Sequence, residues 1–247
     1  MDLQEFFEAH PKAAVAFSGG VDSAWLLCAA MKYGADVKPY CAVSAFQPAF
    51  EREDASEICR LLGTELTFVE LDVLAAPAVA ENPADRCYHC KTAIFTALRA
   101  RAAADGYALL LDGTNASDRE DDRPGMRALR ELGVLSPLRL CGLTKDEIRR
   151  LSREAGLPTW DKPAYACLAT RIPTGERITP EKLARVEKAE GALMAMGFRD
   201  LRVRLWHDAA RIQLPKAQMA EAAARAPELR EALKPWFSAV LLDLEGR

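Results

Sequence analysis

The chain has 247 residues, half of them hydrophobic, and a formal net charge of −3. That length holds one large domain or two modest ones, each with a real core. The charge balance speaks against a nucleic-acid partner, and no apolar run nears the ~20 residues that span a bilayer. The first ten residues are acidic and amphipathic, without a signal-peptide pattern. The expectation is a cytoplasmic protein with reduced thiols, where cysteine pairs serve metals or chemistry more often than disulfides.

Apolar strand patterns at 13–17, 38–43, 66–70 and 108–112 alternate with helical patterns at 22–33, 49–62, 88–104 and 144–155. Gly63 is a fitting helix end. Thr144 and Glu147, three residues apart, form a capping-box signature. This alternation predicts an α/β fold, a parallel sheet with helices on both faces. Ligands then bind beyond the carboxyl ends of the strands, where Ser18 and Asp112 both fall. After about residue 175 the pattern changes. A helix fits 180–196, from Pro180 to Gly197. Strands at 201–205 and 210–214, further helical segments and the apolar run Phe237–Leu242 follow. The expected domains are 1–175 and a small α+β domain at 176–247, joined through Arg171–Thr179. From residue 171 onward basic groups outnumber acidic ones, 14 to 11, against 19 to 25 before it. A mildly basic C-terminal part suits a phosphorylated ligand.

Ser18-Gly19-Gly20-Val21-Asp22-Ser23 lies between the first strand and the first helix. Two adjacent glycines let the backbone approach an anion without a Cβ in the way. Their N–H groups and the helix N-terminus supply partial positive charge suited to phosphate. Ser18 and Ser23 add hydroxyl donors, and Asp22 can hold Mg²⁺ bound to the same phosphates. No lysine follows the glycines, so this is not the loop that serves γ-phosphate transfer. The hexapeptide resembles the SGGxDS loop of the PP-loop ATP pyrophosphatases, which cut ATP between its α and β phosphates to activate a substrate as an adenylate. The bland alternative is a serine-glycine turn.

Cys28, Cys41 and Cys59 fall inside apolar patterns and read as buried small hydrophobes; Cys141, beside Gly142, carries no readable signal. Cys87-Tyr88-His89-Cys90 opens a helix, which brings two sulfurs near one point and favours thiolate. Zinc, an iron–sulfur cluster and a redox dithiol compete for this pair. Zinc wants four protein ligands and finds no second pair; a cluster wants a third thiolate. Cys167, in a loop rich in proline and small residues, is the candidate, with Arg171 near enough in sequence to support a thiolate; an ordinary loop cysteine is the alternative. On the 201–205 strand Arg202 and Arg204 share one face, and Arg211 can join them from the next strand. Like charges side by side repel, so the readings are a bound anion or a solvated basic face. Glu190, on the preceding helix, reads as a helix-surface carboxylate, with a role beside a bound group or a metal as the alternative.

Together Ser18–Ser23, Arg86–Lys91, Asp112–Asp118, Arg123-Pro124-Gly125 and Ala166–Pro173 resemble the LarE family, across nearly the whole chain. These are ATP-dependent sacrificial sulfur transferases in the biosynthesis of the nickel-pincer nucleotide cofactor. The resemblance implies adenylation of pyridinium-3,5-biscarboxylic acid mononucleotide, then sulfur transfer to a thiocarboxylate, twice. It implies ATP and Mg²⁺ at Ser18, Gly19, Gly20, Asp22 and Ser23, with Ser44, Gly113 and Thr114 joining the nucleotide set. Arg202 and Arg204 would take the substrate phosphate, and Asp22 and Cys167 would be catalytic. Members with three cysteines carry a 4Fe-4S cluster; here Cys87, Cys90 and Cys167 would hold it. Others sacrifice one cysteine's sulfur. A homo-oligomer, a hexamer, and nickel-inserting and carboxylating enzymes as pathway partners are implied as well. The alternatives are a tRNA thiolase, an ammonia-using synthetase, or a cluster- or nucleotide-binding sensor.

Overall fold

A computed structural model describes residues 1–118 and 124–247. The chain forms two compact units, one of residues 1–73 and 85–162, the other of 74–84 and 163–247.

The first unit is built on a four-stranded parallel sheet, in order β3-β2-β1-β4. Its strands are β1 (Lys12–Ala16), β2 (Asp36–Val43), β3 (Thr67–Glu70) and β4 (Leu110–Leu111). Ala13, Ala14 and Val15 of β1 are buried on both faces, as helix-covered parallel sheets require. Ala13 and Val15 pack with α1 (Leu3–Ala9), α2 (Val21–Lys32) and α3 (Ala49–Leu62). Ala14 faces the cluster supplied by α5 (Arg86–Ala104) and α6 (Pro124–Glu131). The helix α4 (Pro77–Ala80) belongs to the second unit, and α7 (Pro137–Leu140) precedes α8 (Lys145–Glu154) in the first. The capping box of α8 is present, with Glu147 N–H donating to Thr144 Oγ1 and Thr144 N–H to Glu147 Oε2. Gly63 ends α3 in the left-handed region at φ 70°. The chain runs β1 to β2 to β3 on one side, then returns to β4 on the other side of β1. The order therefore reverses between β1 and β4, and an open sheet leaves its ligand crevice at such a reversal.

In the second unit β5 (Arg202–Trp206) and β6 (Ala209–Gln213) pair antiparallel, and β6 pairs parallel with β7 (Ala239–Leu242). The helices α9 (Pro180–Ala195), α10 (Lys216–Ala224) and α11 (Ala226–Leu233) complete it. The division differs from the expected 1–175 and 176–247. Asn82 explains why: its Nδ2 donates to Pro173 O (2.8 Å), its carbonyl accepts from Gly175 N–H (2.8 Å), and Ala80 O accepts from Ile178 N–H (2.7 Å). These bonds tie 74–84 to the segment the sequence assigned to a linker. Among the described residues no helix is long and apolar enough to cross a membrane.

Candidate active site

A cleft of about 560 Å³ opens beyond the carboxyl ends of β1, β2 and β4. Ser18, Asp22, Ser23, Cys87, Gly113 and Thr114 are on its wall. The loop at its base follows from the sequence. Gly19 adopts φ +70°, where a side chain is strained, and a Cβ there would sit 2.8 Å from the Ala55 backbone. Gly20 caps α2, so the first N–H groups of that helix start inside the loop. Gly20 N–H donates to Ser18 Oγ (3.4 Å), and Ser23 Oγ is 3.3 Å from Ser18 Oγ and donates to Gly20 O (3.2 Å). From the other side of the crevice Gly113 comes so close that a Cβ would lie 3.0 Å from Ser23 N and 3.2 Å from Asp22 Cβ. Glycine is needed there for the β4 loop to touch the start of α2.

Asp22 is already partnered: Lys145 Nζ reaches Oδ2 at 2.5 Å and Asn115 Nδ2 donates to Oδ1 at 3.2 Å. Asp112 is buried and accepts from Thr114 Oγ1 and Ser136 Oγ. Lys162 donates to Gly19 O (3.1 Å) and pairs with Asp54 (2.7 Å). The loop has no lysine of its own, yet two lysines from later in the chain bond to it. Periodicity hid both: Lys145 reads as filler in a capping box, and Lys162 as part of an irregular proline-rich stretch. Ser44 lies past β2, its Oγ accepting from Phe46 N–H at 3.3 Å. Among the described residues, Gly19, Gly20 and Ser44 are not on the cleft wall. Pro124 and Gly125 are on it, while Arg123 lies outside the described residues.

No disulfide joins the described cysteines. Cys41 and Cys59 are buried as expected, and burial pushes the Cys59 thiol up to about 12. Cys41 also borders the cleft, with burial raising its thiol as well. Cys28 and Cys141 are half-buried against the core, and burial raises both. Cys87 and Cys90 sit on the first turns of α5, the former exposed with Arg86 Nη2 3.5 Å from its sulfur, the latter buried. His89 turns back to Asp85 at 3.3 Å. Among the described residues no three His, Cys, Asp or Glu side chains gather to hold a metal.

In the second unit, the loop that carries Cys167 is held by three arginines. Arg171, with a fully buried side chain, pairs with Glu190 (2.7 Å) and donates to Ala166 O (3.0 Å). Its guanidinium thus binds carboxylate and loop backbone, where the sequence reading aimed it at the sulfur. Arg202 Nη2 donates to Ala164 O (2.6 Å), and Arg204 Nη1 to Thr170 O. Arg171 and Arg202 stack on Tyr165 at 4.7 and 4.8 Å. Burial first, then Arg171 and Arg247, bring Arg202 down to about 10; burial and its arginine neighbours also lower Arg204. Arg211 is directly opposite Arg204 across the β5–β6 pair, as strand alternation implies. Arg202 departs from the expected exposed anchor, at 4% exposure, because the Cys167 loop covers that face.

Glu190 needs correction. It is 1% exposed, not on the helix surface, and also accepts from Val203 N–H (2.8 Å) and Tyr165 Oη. A periodic signal was available: Leu183, Val186, Ala189 and Leu193 form the buried stripe of α9, and Glu190 falls on it.

No family model matches the chain. An uncharacterized protein of Synechocystis sp. is 39% identical over 99% of this chain and 93% of its own length. The pyridinium-3,5-bisthiocarboxylic acid mononucleotide synthase of Lactiplantibacillus plantarum is 34% identical over 95% of this chain and 86% of its own. The tRNA-specific 2-thiouridylase MnmA of Acidithiobacillus ferrooxidans is 29% identical, but over 61% of this chain and 51% of its own.

Proposed function

The chain belongs to the LarE family of ATP-dependent sulfurtransferases, and from that premise we propose its substrate, its site and its sulfur source. The substrate is pyridinium-3,5-biscarboxylic acid mononucleotide, in a pathway whose neighbouring enzymes carboxylate the precursor and insert nickel. ATP binds in the cleft of the first unit. A carboxylate is a poor electrophile because its leaving group would be oxide. Attack of the substrate carboxylate on the α-phosphorus forms an acyl adenylate and breaks the bond to pyrophosphate. Sulfur then adds to the acyl carbon and expels AMP, and the cycle runs once for each carboxylate.

What carries the reading is the close approach of Gly113 to Ser23 and Asp22 at the sheet's reversal. It gathers the Ser18 and Ser23 hydroxyls and the Asp22 carboxylate on a single cleft, with Asp112 and Asp118 also on its wall. Oriented N–H groups and hydroxyls stabilise charge as pyrophosphate leaves. The Asp22 carboxylate on the cleft wall fits a hard cation; Mg²⁺, when bound, supplies neutralising charge to the phosphates. Lys145, which holds Asp22 through one oxygen, then turns to a phosphate oxygen. Arg204 and Arg211, facing each other across two strands, take the substrate phosphate, and Arg202 acts by holding the Cys167 loop. The protein works as a homo-oligomer.

For the sulfur, the thiols of Cys87 and Cys90 one turn apart on α5 suit two irons of a cluster, and Cys167 is the third ligand. Cys87, Cys90 and Cys167 would hold a 4Fe-4S cluster, which would supply the sulfide for transfer. Cys87 on the wall of the nucleotide cleft supports this choice.

Pyrophosphate release is the test of adenylation: it requires ATP and the biscarboxylate together, and Asp22→Ala abolishes it. Release without the biscarboxylate, or undiminished in Asp22→Ala, refutes the assignment. Iron and sulfide analysis of anaerobically prepared protein, with intact mass after turnover, tests the sulfur source. Iron lost with any of Cys87, Cys90 and Cys167, and no mass change, supports the cluster. An iron-free protein whose mass falls by one H₂S at Cys167 identifies a sacrificed cysteine instead.

A further inference from the structure

Lys162 is the last residue of the first unit. Its backbone is fixed from two directions, its carbonyl accepting from Arg149 Nη2 (2.9 Å) and its N–H donating to Thr159 O (3.1 Å). Its side chain, 18% exposed, ends between Gly19 O (3.1 Å) and Asp54 on α3 (2.7 Å). A half-buried ammonium on a backbone carbonyl restrains that peptide. A trans peptide is planar, with C=O and N–H on opposite sides. Holding the Gly19 carbonyl toward Lys162 therefore keeps the Gly20 N–H on the far side. There it donates to Ser18 Oγ (3.4 Å), a hydroxyl of the cleft wall. Glycines on both sides of this peptide leave it otherwise free to flip, which would aim a carbonyl, not an N–H, at the phosphates.

Given ATP as the ligand of the cleft, as proposed above, we infer that Lys162 is a positioning residue for the pyrophosphate half of ATP. It locks the Gly19–Gly20 peptide with its N–H toward the anion, and Asp54 holds the lysine in place. A loop without its own lysine thus borrows one from 143 residues further along the chain.

The test compares Lys162→Met, Lys162→Arg and Asp54→Asn by calorimetric titration with magnesium pyrophosphate, ATP and adenosine. Losing a charge-assisted hydrogen bond weakens binding by about tenfold or more. Lys162→Met is expected to lose that much for pyrophosphate and ATP, while adenosine stays within about twofold of wild type. Lys162→Arg recovers part of the loss. Asp54→Asn, a surface change that keeps the lysine, loses up to about fivefold for pyrophosphate, the scale of an exposed ion pair. Wild-type pyrophosphate affinity in Lys162→Met overturns the inference, as does an equal loss for adenosine. Wild-type protein that binds neither ATP nor pyrophosphate overturns the nucleotide reading itself.

Discussion

Glu190→Ala is expected to be among the most damaging single changes in the second unit. Its carboxylate neutralises Arg171, whose side chain is 0% exposed. It also accepts from Val203 N–H and from Tyr165 Oη. Removing one partner of a buried pair costs about 3–5 kcal/mol, because the other charge stays behind without compensation. The orphaned Val203 N–H adds about 1–3 kcal/mol where it cannot reach water. Arg202 and Arg204 make matters worse, since burial and Arg171 already disfavour their charged forms. A total of about 4–8 kcal/mol corresponds to a melting temperature lower by roughly 10–30 °C for a chain of this size. Glu190→Gln keeps an acceptor for Val203 and loses only the charge, so it should fall between. Thermal and urea melts followed by near-UV circular dichroism measure both variants. A loss below about 1 kcal/mol in Glu190→Ala would refute the reasoning, since a cation so enclosed cannot be indifferent to the loss of a buried carboxylate partner.

Gly113→Ala is expected to slow pyrophosphate release by at least tenfold, as its Cβ would press within 3.0 Å of Ser23 N and misplacing a reacting group by about 1 Å costs up to a hundredfold; a wild-type rate would count against the crevice. Arg204→Ala should raise the mononucleotide concentration for half-saturation by roughly ten- to a hundredfold and leave ATP saturation unchanged, and unaltered saturation would return Arg204 to a purely structural role. Bonds from Lys38 and Tyr40 hold the Asp105 carboxyl down to about 2. A carboxylate with a lowered value stabilises the fold above the ordinary aspartate range near roughly 4 and ceases to do so as pH falls toward 2. The melting difference between wild type and Asp105→Asn should therefore be full at pH 6 and shrink below pH 4, and a pH-independent difference would be inconsistent with this. In iron-free protein, iodoacetamide at pH 8 should label the exposed Cys87 well before Cys59, whose buried thiol stays protonated; mass mapping that finds Cys59 first would contradict the burial.

The elements of the first unit were legible because their signals are local. Alternating apolar runs, Gly63 and the Thr144–Glu147 box each encode a strand, a stop or a start within a few residues. The loop Ser18–Ser23 was equally plain, since two glycines before a helix have a direct conformational meaning. β4 was overread: the apolar run at 108–112 pairs over only Leu110–Leu111, with a bridge from Leu111 to Leu135 beyond it. Apolar character marks burial, while pairing length depends on how far the neighbouring strand runs alongside.

What the sequence determined by itself was the chemistry on offer: a glycine-serine loop before a helix, a thiol pair at a helix start, a third cysteine, and arginines on one strand face. Tertiary structure alone decided who meets whom. Lys145 reaches Asp22 across 123 residues and Lys162 reaches Gly19 across 143, and no local period encodes such a meeting. The sheet's reversal between β1 and β4 creates the crevice, with Asp22 on its wall. In the second unit, strand alternation put Arg202 and Arg204 on the predicted face. Only the folded Cys167 loop lying over that face turned Arg202 from an open cation into a buried donor to a carbonyl. Side-chain direction is a property of the local backbone, but whether that direction ends in water, in protein or in a ligand is set by elements distant in the chain.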